Sequence, residues 1–295
     1  RIEEKITDKT KAIMPVHFHG LPAEMDEINE VARRNNLVVI EDASQAHAAE
    51  YKGKKVGNLG DMAGCSTMSG KNLPSCGEGG LFTTSNIDYR DRGDMVRMFG
   101  EVLEEDKDRA YNAYVMGWNY RANVIQAAFT LSQLKRLDEY TRIRQERAER
   151  LSRSLEQIKG VIPPYVPKDR THAYHAYRIR FDPAVLGIDM ERGRFRVAVE
   201  KSLNAEGVPA GEYQNTPIPG QRVFQVKEGY GKGCPWTCPH ANEVEYRVED
   251  YPETLKVIED SVLLGQMKNH ANDEKTIDYY IEAFNKVFAS VEEVV

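Results

Sequence analysis

The chain has 295 residues, and its 40 lysines and arginines against 46 aspartates and glutamates give a formal net charge of −6. A protein that binds the phosphate backbone of nucleic acid needs a basic face, so this balance argues against nucleic acid as a partner. No run approaches the ~18 apolar residues of a membrane-spanning helix, and the N-terminus lacks the apolar stretch of a signal peptide, so we expect no membrane association.

Strand and helix signals alternate in the first third of the chain. Apolar residues at 12–17 predict a short strand, and Pro22 stands near the start of a predicted amphipathic helix. The continuous apolar run 37–40, which ends in two acidic residues, is typical of a strand that is buried on both faces. Residues 81–84 and 87–98 predict a further strand and a surface helix. This order indicates a βαβ unit in an open α/β sheet.

A long helical pattern occupies residues 123–159. Its apolar positions line one side, and the arginine and glutamate pairs of residues 142–153 are typical of a solvated helix face. The pattern ends at Gly160, and two prolines follow it, which predicts a domain boundary.

The rest of the chain predicts a smaller domain of mixed strands and helices. Its clearest element is the last helix, with apolar residues on one stripe from 277 to 288 and Asn272 or Asp273 as its N-cap. We therefore predict an α/β fold with a mostly parallel open sheet in a large domain and a smaller C-terminal α+β domain. The predicted divisions are a partial large domain at 1–122, a connecting helix at 123–159 and the small domain at 160–295. Few strands precede the long helix, and one interpretation is that an N-terminal segment is missing.

The glycine-rich stretches do not match the usual nucleotide-binding loops. Gly64 and Gly70 enclose five residues instead of the four of a P-loop, and Asn72 follows Lys71 where that loop has Ser or Thr. Residues 77–80 do not form the GxGxxG pattern of a dinucleotide-binding turn. We therefore expect neither a P-loop nor a Rossmann cofactor site.

Cysteine usage argues against a metal centre and against a disulfide framework. Residues 234–240 (CPWTCPH) offer three possible zinc ligands, but a structural site usually needs four and no second cluster is present. The alternative is that these cysteines belong to an ordinary loop, and we expect no metal. Four cysteines in a chain of this length predict a reducing, cytoplasmic setting.

Three polar residues lie in a pattern that one cofactor would use. Asp42 ends a predicted buried strand, where α/β sheets place ligand groups, and Ser66 and Lys71 lie on a glycine-containing segment further along. A lysine that forms a Schiff base, a carboxylate that keeps a pyridine nitrogen protonated and a hydroxyl that binds phosphate together make a pyridoxal phosphate (PLP) site. The alternative is a solvated lysine and an aspartate that caps a turn.

Several short blocks resemble the DegT/DnrJ/EryC1/StrS aminotransferase family, whose members are sugar and cyclitol aminotransferases with the aspartate aminotransferase fold. The order and spacing of these blocks are more specific than any one of them. The blocks are 39–47 (VIEDASQAH), 51–61 (YKGKKVGNLGD), 71–73 (KNL), 77–80 (GEGG) and 117–121 (GWNYR).

The resemblance implies a role for each matching residue. Lys71 resembles the catalytic lysine that holds PLP, and Asp42 resembles the partner of the pyridine nitrogen. Gln45 resembles a residue that contacts the cofactor ring, and Ser66 the serine that binds its phosphate. Asn119, with Arg121 in the same region, resembles a residue that reaches the cofactor of a neighbouring subunit. The resemblance therefore implies a homodimer with shared active sites.

The implied reaction moves an amino group from glutamate or glutamine to a keto sugar, often nucleotide-linked, or to a keto cyclitol, through a Schiff base at Lys71. The sequence does not choose between these acceptors or donors. Cys65 and Thr67 depart from the aromatic residues that the family usually has beside its serine. Two alternatives are a non-catalytic homologue that acts as a structural or regulatory partner, and a sugar dehydratase, although that branch typically has histidine in place of Lys71.

Overall fold

The computed structural model describes residues 1–103, 108–265 and 274–294. These residues form two compact units. The first consists mainly of Arg1–Ala148 and Tyr165–Ala176, and the second contains Glu149–Pro164 and most of the chain beyond residue 176. Among the described residues, no helix is long and apolar enough to cross a membrane.

The first unit contains a four-stranded sheet with the order β1-β2-β5-β6, in which the first two pairings are parallel and the last is antiparallel. A separate small hairpin pairs β3 with β4. The elements are β1 (Ala12–Ile13), α1 (Met25–Arg34), β2 (Val38–Asp42), β3 (Glu50–Tyr51), β4 (Lys54–Lys55), β5 (Met62–Ser66), β6 (Gly80–Thr84), α2 (Ile87–Arg97), α3 (Val124–Leu134) and α4 (Leu137–Leu155), which continues into the second unit.

Helix α1 covers one face of this sheet with its apolar stripe. Met25, Ile28 and Ala32 recur at helical spacing and pack in one cluster with Val39 of β2 and Tyr51 of β3. Burial of these side chains removes apolar surface from water and joins the helix to the sheet.

Strand β2 includes the two acidic residues that follow the apolar run, and it ends at Asp42 as the sequence predicted. Glu41 and Asp42 are both part of β2, in the alternating pattern of a strand that places successive side chains on opposite faces. Glu41 is fully buried and Asp42 is half-buried. The strand therefore brings one carboxylate into the core and presents the other on the opposite face.

The predicted helical stretch 123–159 contains α3 and α4. Asn123 caps α3 in a capping box with Gln126. Helix α3 is apolar, but none of its residues is buried, and Val124 and Ile125 are 81% and 73% exposed. In contrast, α4 has a buried stripe at helical spacing, which consists of Leu137, Thr141, Arg144, Ala148, Leu151, Ser152 and Leu155. The prediction that residues 142–153 form a solvated face is therefore wrong for Arg144 and Ser152.

The second unit has an antiparallel sheet of strand order β7-β8-β10-β9 with helices around it. Its core includes Phe181, Phe195 and Phe284, which are all buried. The elements are β7 (Val161–Ile162), β8 (Tyr177–Phe181), α5 (Pro183–Leu186), α6 (Arg192–Ala205), β9 (Ala210–Gly211), α7 (Arg222–Val226), α8 (Pro252–Asp260), β10 (Ser261–Leu264), α9 (Glu274–Ala289) and α10 (Val291–Val294).

This architecture confirms the predicted fold class, with a mostly parallel open sheet followed by an α+β unit. The domain boundaries proposed from the sequence stay a prediction. The predicted caps of the last long helix, Asn272 and Asp273, lie outside the described residues.

Candidate active site

A cavity of about 990 Å³ lies in the first unit along β5, the carboxyl end of β2, the start of β6 and helix α2. Its lining includes Asp42, Gly64 and Ser66 from β2 and β5, Arg97 from α2, and Tyr120. Small-molecule sites in proteins have comparable volumes, and open α/β sheets bind ligands at the carboxyl ends of their strands, where Asp42 and Ser66 lie. The cavity is therefore the candidate functional site of this unit.

Two of the predicted cofactor-binding residues, Asp42 and Ser66, lie on the same face of the sheet. Asp42 is the register partner of Gly64, and Ser66 follows Gly64 by two residues, after which side chains return to the same face. A β-carbon built on Gly64 would have no heavy atom within 4 Å. The surface between the carboxylate and the hydroxyl is therefore open enough for a flat group.

Backbone amides orient both side chains. The Oδ1 atom of Asp42 accepts a hydrogen bond from the backbone N–H of Ser44 at 3.0 Å. The Oγ atom of Ser66 accepts one from the backbone N–H of Met68 at 3.3 Å. Because each side chain is fixed close to its own strand end, the carboxylate and the hydroxyl keep a defined spacing along the sheet.

On the opposite face, Glu41 anchors the end of β2. Its carboxylate accepts hydrogen bonds from His17 Nε2 at 2.9 Å and from the backbone N–H groups of Gly57, Leu59 and Gly60 at 2.7–2.8 Å. Burial alone would raise the pKa of Glu41, but these hydrogen bonds together outweigh it and lower the pKa below its ordinary value. Glu41 is therefore a buried carboxylate whose charge is satisfied, directly before Asp42.

Lys71 lies on the loop between β5 and β6 and is half-buried. This loop is closed by hydrogen bonds from Thr67 N–H to Gly79 O and from Ser69 N–H to Gly77 O, both at 2.8 Å. A β-carbon on Gly79 would lie only 2.6 Å from Thr67 Oγ1, so any larger residue there would displace the Thr67 side chain or the loop. The glycines of the 77–80 block therefore shape the loop that carries the lysine.

Two buried basic side chains near this loop were not among the predicted site residues. His47 is 6% exposed, and its pKa is lowered to about 4, first because burial disfavours the charged form. The backbone of Ser66 opposes this shift, and the positive charges of Lys71 and Arg144 add to it. Burial likewise lowers the pKa of Arg144 to about 10, and its Nη1 donates to Ala173 O at 3.2 Å. His47 is therefore neutral and Arg144 charged near pH 7.

Sequence signals for both residues were present. His47 stands two residues after Gln45 in one of the matching blocks. Arg144 lies on the stripe of α4 that contains Leu137, Ala148 and Leu151, although its arginine-rich neighbours are typical of a solvated surface. Helical periodicity would have indicated that Arg144 points inward.

The other predicted residues lie in different surroundings. The Oε1 atom of Gln45 accepts a hydrogen bond from the backbone N–H of His19 at 2.8 Å, which holds this side chain against a neighbouring segment. Asn119 and Arg121 are exposed, and Arg121 Nε donates to Asn119 Oδ1 at 2.8 Å. Tyr120 between them lines the cavity. The first unit thus brings Asp42 and Ser66 into the cavity lining and places Asn119 and Arg121 on the adjoining surface.

No cluster of three or more His, Cys, Asp or Glu side chains suited to a metal ion occurs in the parts of the chain that the structure describes. Cys234 and Cys238 lie close together, but no third ligand joins them there.

Comparison with known proteins identifies the family. The sequence model of the DegT/DnrJ/EryC1/StrS aminotransferase family matches residues 1–262. The chain belongs to this family. Its blocks around Asp42, Lys71 and Asn119 all fall within the matched range.

Relatives of this family member include proteins with named activities. GDP-perosamine synthase of Caulobacter vibrioides is 39% identical over 211 residues, which cover 70% of this chain and 53% of that protein. A putative L-glutamine:3-amino-2,3-dideoxy-scyllo-inosose aminotransferase of Micromonospora echinospora is 37% identical, over 70% of this chain and 48% of the relative. The chain thus spans about half the length of these curated relatives.

The crystal structure of DesV from S. venezuelae in complex with a ketimine intermediate is similar in fold. The TM-score is 0.79 at 25% identity, and the match covers 97% of this chain and 67% of DesV. This similarity agrees with the arrangement of a mostly parallel sheet and an α+β unit in this family member.

Asp42, Gly64 and Ser66 of the cavity lining suit PLP, the cofactor that the family implies, whereas Lys71 and Gln45 do not line this cavity. The donor set matches the group, because a carboxylate suits a protonated pyridine nitrogen and a hydroxyl suits a phosphate oxygen. Gly64 leaves the space between them free for a planar ring. The assignment of individual roles to these residues stays a prediction.

Proposed function

We propose that this chain carries the cofactor-binding residues of a PLP-dependent aminotransferase that moves an amino group from glutamate or glutamine to a keto sugar or a keto cyclitol. The observation that carries the proposal is the shared face of Asp42 and Ser66 beside the open position at Gly64. The loop with Lys71 follows directly on the strand that ends in Ser66. Carboxylate, hydroxyl and amine thus come from two adjacent strand ends.

Asp42 and Ser66 would hold the two ends of the cofactor. The Asp42 carboxylate would accept a hydrogen bond from the ring nitrogen and keep that nitrogen protonated, and the Ser66 hydroxyl would donate to a phosphate oxygen. When bound, PLP withdraws electrons from the carbon that loses a proton and so stabilises the developing negative charge. The backbone contacts of Ser44 and Met68 orient both side chains before the cofactor arrives.

Lys71 would serve as nucleophile and then as base. Its amine is the nucleophile that would hold the cofactor covalently until an amino donor takes its place. Once free, the same amine would act as the base that takes up and returns the proton of the donor's α-carbon. Arg144, which is charged, and His47, which is neutral, are buried near this loop.

The substrate class is proposed from the named relatives. GDP-perosamine synthase and the putative inosose aminotransferase represent a nucleotide-sugar product and a cyclitol substrate, respectively. The second name includes L-glutamine, one of the two donors expected here. Both acceptor types present a ketone among hydroxyl groups, which is the chemistry we propose for this chain.

We propose a cytoplasmic homodimer in which two chains complete each active site. The exposed apolar residues of α3, among them Val124, Ile125 and Phe129, form a surface that another chain would cover. The neighbouring Asn119 and Arg121 are exposed as well, and we propose that they reach the phosphate of the cofactor bound by the partner chain.

Trapping of the lysine tests the proposal directly. The protein is incubated with PLP, reduced with borohydride and digested with trypsin. Reduction fixes the cofactor on its lysine and blocks cleavage there, so a cofactor-labelled peptide of residues 56–90 with an uncleaved Lys71 is expected. Lys71→Ala should abolish the label, and the exposed Lys54→Ala should retain it. A label on any other lysine, or no label at all, would favour a non-catalytic family member.

A further inference from the structure

The segment 211–259 of the second unit has no core of its own. The structure describes this segment throughout, and none of its residues is buried. Helix α7 and part of α8 are its longer regular elements. Chain segments of about 40 residues rarely bury enough apolar surface to hold a structure, and small domains usually add a cross-link or a metal.

Three aromatic rings form the main packing in this segment. Phe224, Trp236 and Tyr246 have ring centroids 5.1–6.4 Å apart. The Nε1 atom of Trp236 also donates to the hydroxyl of Tyr246 at 2.9 Å. This cluster fixes the position of Trp236. Cys234 and Cys238, each two residues away from Trp236 in the chain, are held near it.

The thiols of Cys234 and Cys238 are neighbours in space. Their sulfur atoms are 3.7 Å apart. A turn brings them together, since Thr237 N–H donates to Gly233 O and Cys238 N–H to Pro235 O. Gly229 has a φ of +53°, and a β-carbon there would lie 1.9 Å from Cys234 O, so the turn depends on glycine at this position. A small rotation of each side chain would bring the sulfurs into bonding distance.

Two thiols without further ligands suit a disulfide better than a metal. Structural zinc takes four ligands, and the described residues provide no third His, Cys, Asp or Glu for this pair. We propose that Cys234 and Cys238 form a redox pair, which a low-molecular-weight disulfide such as glutathione disulfide oxidises to an intramolecular disulfide.

The reaction proceeds by two thiol exchanges. Cys238, the exposed thiol, loses its proton and attacks one sulfur of glutathione disulfide, which releases one glutathione. The resulting mixed disulfide is then attacked by Cys234, which gives up its proton as the second glutathione leaves. Two protein thiols are thus oxidised and one glutathione disulfide is reduced to two glutathiones.

The difference between the two thiols supports this order. The pKa of Cys234 is raised, first by its hydrogen bond with Cys238 and then by burial and the neighbouring charge. Cys234 therefore ionises less readily as long as Cys238 is an unreacted thiol, and it reacts second. The disulfide between Cys234 and Cys238 would reduce the conformational freedom of this segment in its unfolded state and should protect the segment from proteases.

Mass spectrometry of the oxidised protein tests this pair. Reduced protein is incubated with glutathione disulfide, quenched with acid, alkylated with N-ethylmaleimide and digested with trypsin. Cleavage after Lys232 and Arg247 gives one peptide, 233–247, that contains both cysteines. We expect this peptide to be two hydrogens lighter than the dithiol and to carry no alkyl group, and to return to the dialkylated form after treatment with dithiothreitol.

Serine variants separate this pair from incidental oxidation. In Cys234→Ser, Cys238 should accumulate as a stable mixed disulfide with glutathione, because the second thiol is missing. Cys76→Ser is the matched control at another exposed cysteine and should leave oxidation of the 233–247 peptide unchanged.

Three results would overturn the proposal. One is a wild-type peptide that stays dialkylated after oxidation, and another is a wild-type peptide that carries two glutathione groups. The third is a native mass spectrum with a zinc ion that is lost in Cys234→Ser, since that result would make the pair part of a metal site.

Discussion

The Nε2 atom of His17 lies 2.9 Å from Oε2 of Glu41, and neither side chain is exposed to solvent. The backbone N–H of Ala23 donates to Nδ1 of the same imidazole at 3.0 Å, so Nε2 is the nitrogen that donates to Glu41. The imidazole thus links the segment before α1 to the end of β2, one residue before the proposed cofactor carboxylate.

Glu41→Gln should destabilise the first unit. In the wild type, backbone N–H groups donate to both oxygens of the Glu41 carboxylate. Glutamine replaces one of these oxygens with an NH2 group, which cannot accept a hydrogen bond. Some of the backbone donors are therefore left without partners. We expect a loss of about 2–4 kcal/mol in the free energy of unfolding. Urea titration followed by circular dichroism measures it. Glu4→Gln, at an exposed position, should change stability by less than about 0.5 kcal/mol. An equally small effect of Glu41→Gln would contradict the anchoring role.

Acid should destabilise the protein through His47. The pKa of this histidine is about 4 in the folded chain and near 6.5 when exposed, so the unfolded state binds the proton more readily. Stability is therefore full above about pH 6.5, falls as the pH decreases towards 4, and levels off below that for this group. The shift corresponds to about 3 kcal/mol.

His47→Gln should flatten that dependence. Melting temperatures of wild type and variant are compared from pH 7 to pH 4. Because only the wild type loses stability through His47, its melting temperature should fall more steeply than that of the variant, so any advantage of the wild type at pH 7 should shrink or reverse at pH 4. The exposed His240 provides the control, since His240→Gln should keep the wild-type dependence of melting temperature on pH. Parallel curves for wild type and His47→Gln would show that His47 does not titrate in this range.

Asp42→Asn should impair catalysis more than folding. The amide oxygen of asparagine can still accept the hydrogen bond from Ser44 N–H, so the melting temperature should change little. The ring nitrogen of the cofactor would lose its charged partner, and we expect turnover with glutamine and a keto substrate to fall about 10²–10⁴-fold. Asp88→Asn, an exposed change on α2, should keep wild-type turnover. Full activity of Asp42→Asn would remove Asp42 from the proposed site.

Gly79→Ala should disturb the lysine loop through one contact. The new methyl group would lie 2.6 Å from Thr67 Oγ1, which forces the loop arms apart and should cost about 1–3 kcal/mol. Thr67→Ala removes the clashing oxygen. The double variant should therefore regain part of the stability and of the PLP labelling at Lys71, as a double-mutant cycle measures. Additive losses in the double variant would mean that the strain lies elsewhere.

The sequence predicted the elements whose pattern depends on local spacing. The apolar run before Glu41 indicated a buried strand, and the stripe of α1 indicated the helix that packs on it. The role of Glu41 itself could not be read, because its partners His17 and the amides at 57–60 lie far away in the chain. Likewise, the shared face of Asp42 and Ser66 follows from the register of β2 against β5, which no local pattern specifies.

Arg144 illustrates a different difficulty. Its charged neighbours on α4 point to solvent, and composition alone assigns the arginine to the same surface. Position on the helix decides instead, because Arg144 lies on the stripe of Leu137, Ala148 and Leu151. In α3 the apolar pattern correctly indicates a helix but does not lead to burial within the described part of the chain.

Gly64 separates the demands of folding from the demands of cofactor binding. Nothing in the described chain crowds the site of its absent side chain, so selection for foldability alone would tolerate alanine or serine there. In a saturation-mutagenesis library sorted once for expression and once for growth that depends on the enzyme, position 64 should thus be permissive in the first sort and restrictive in the second.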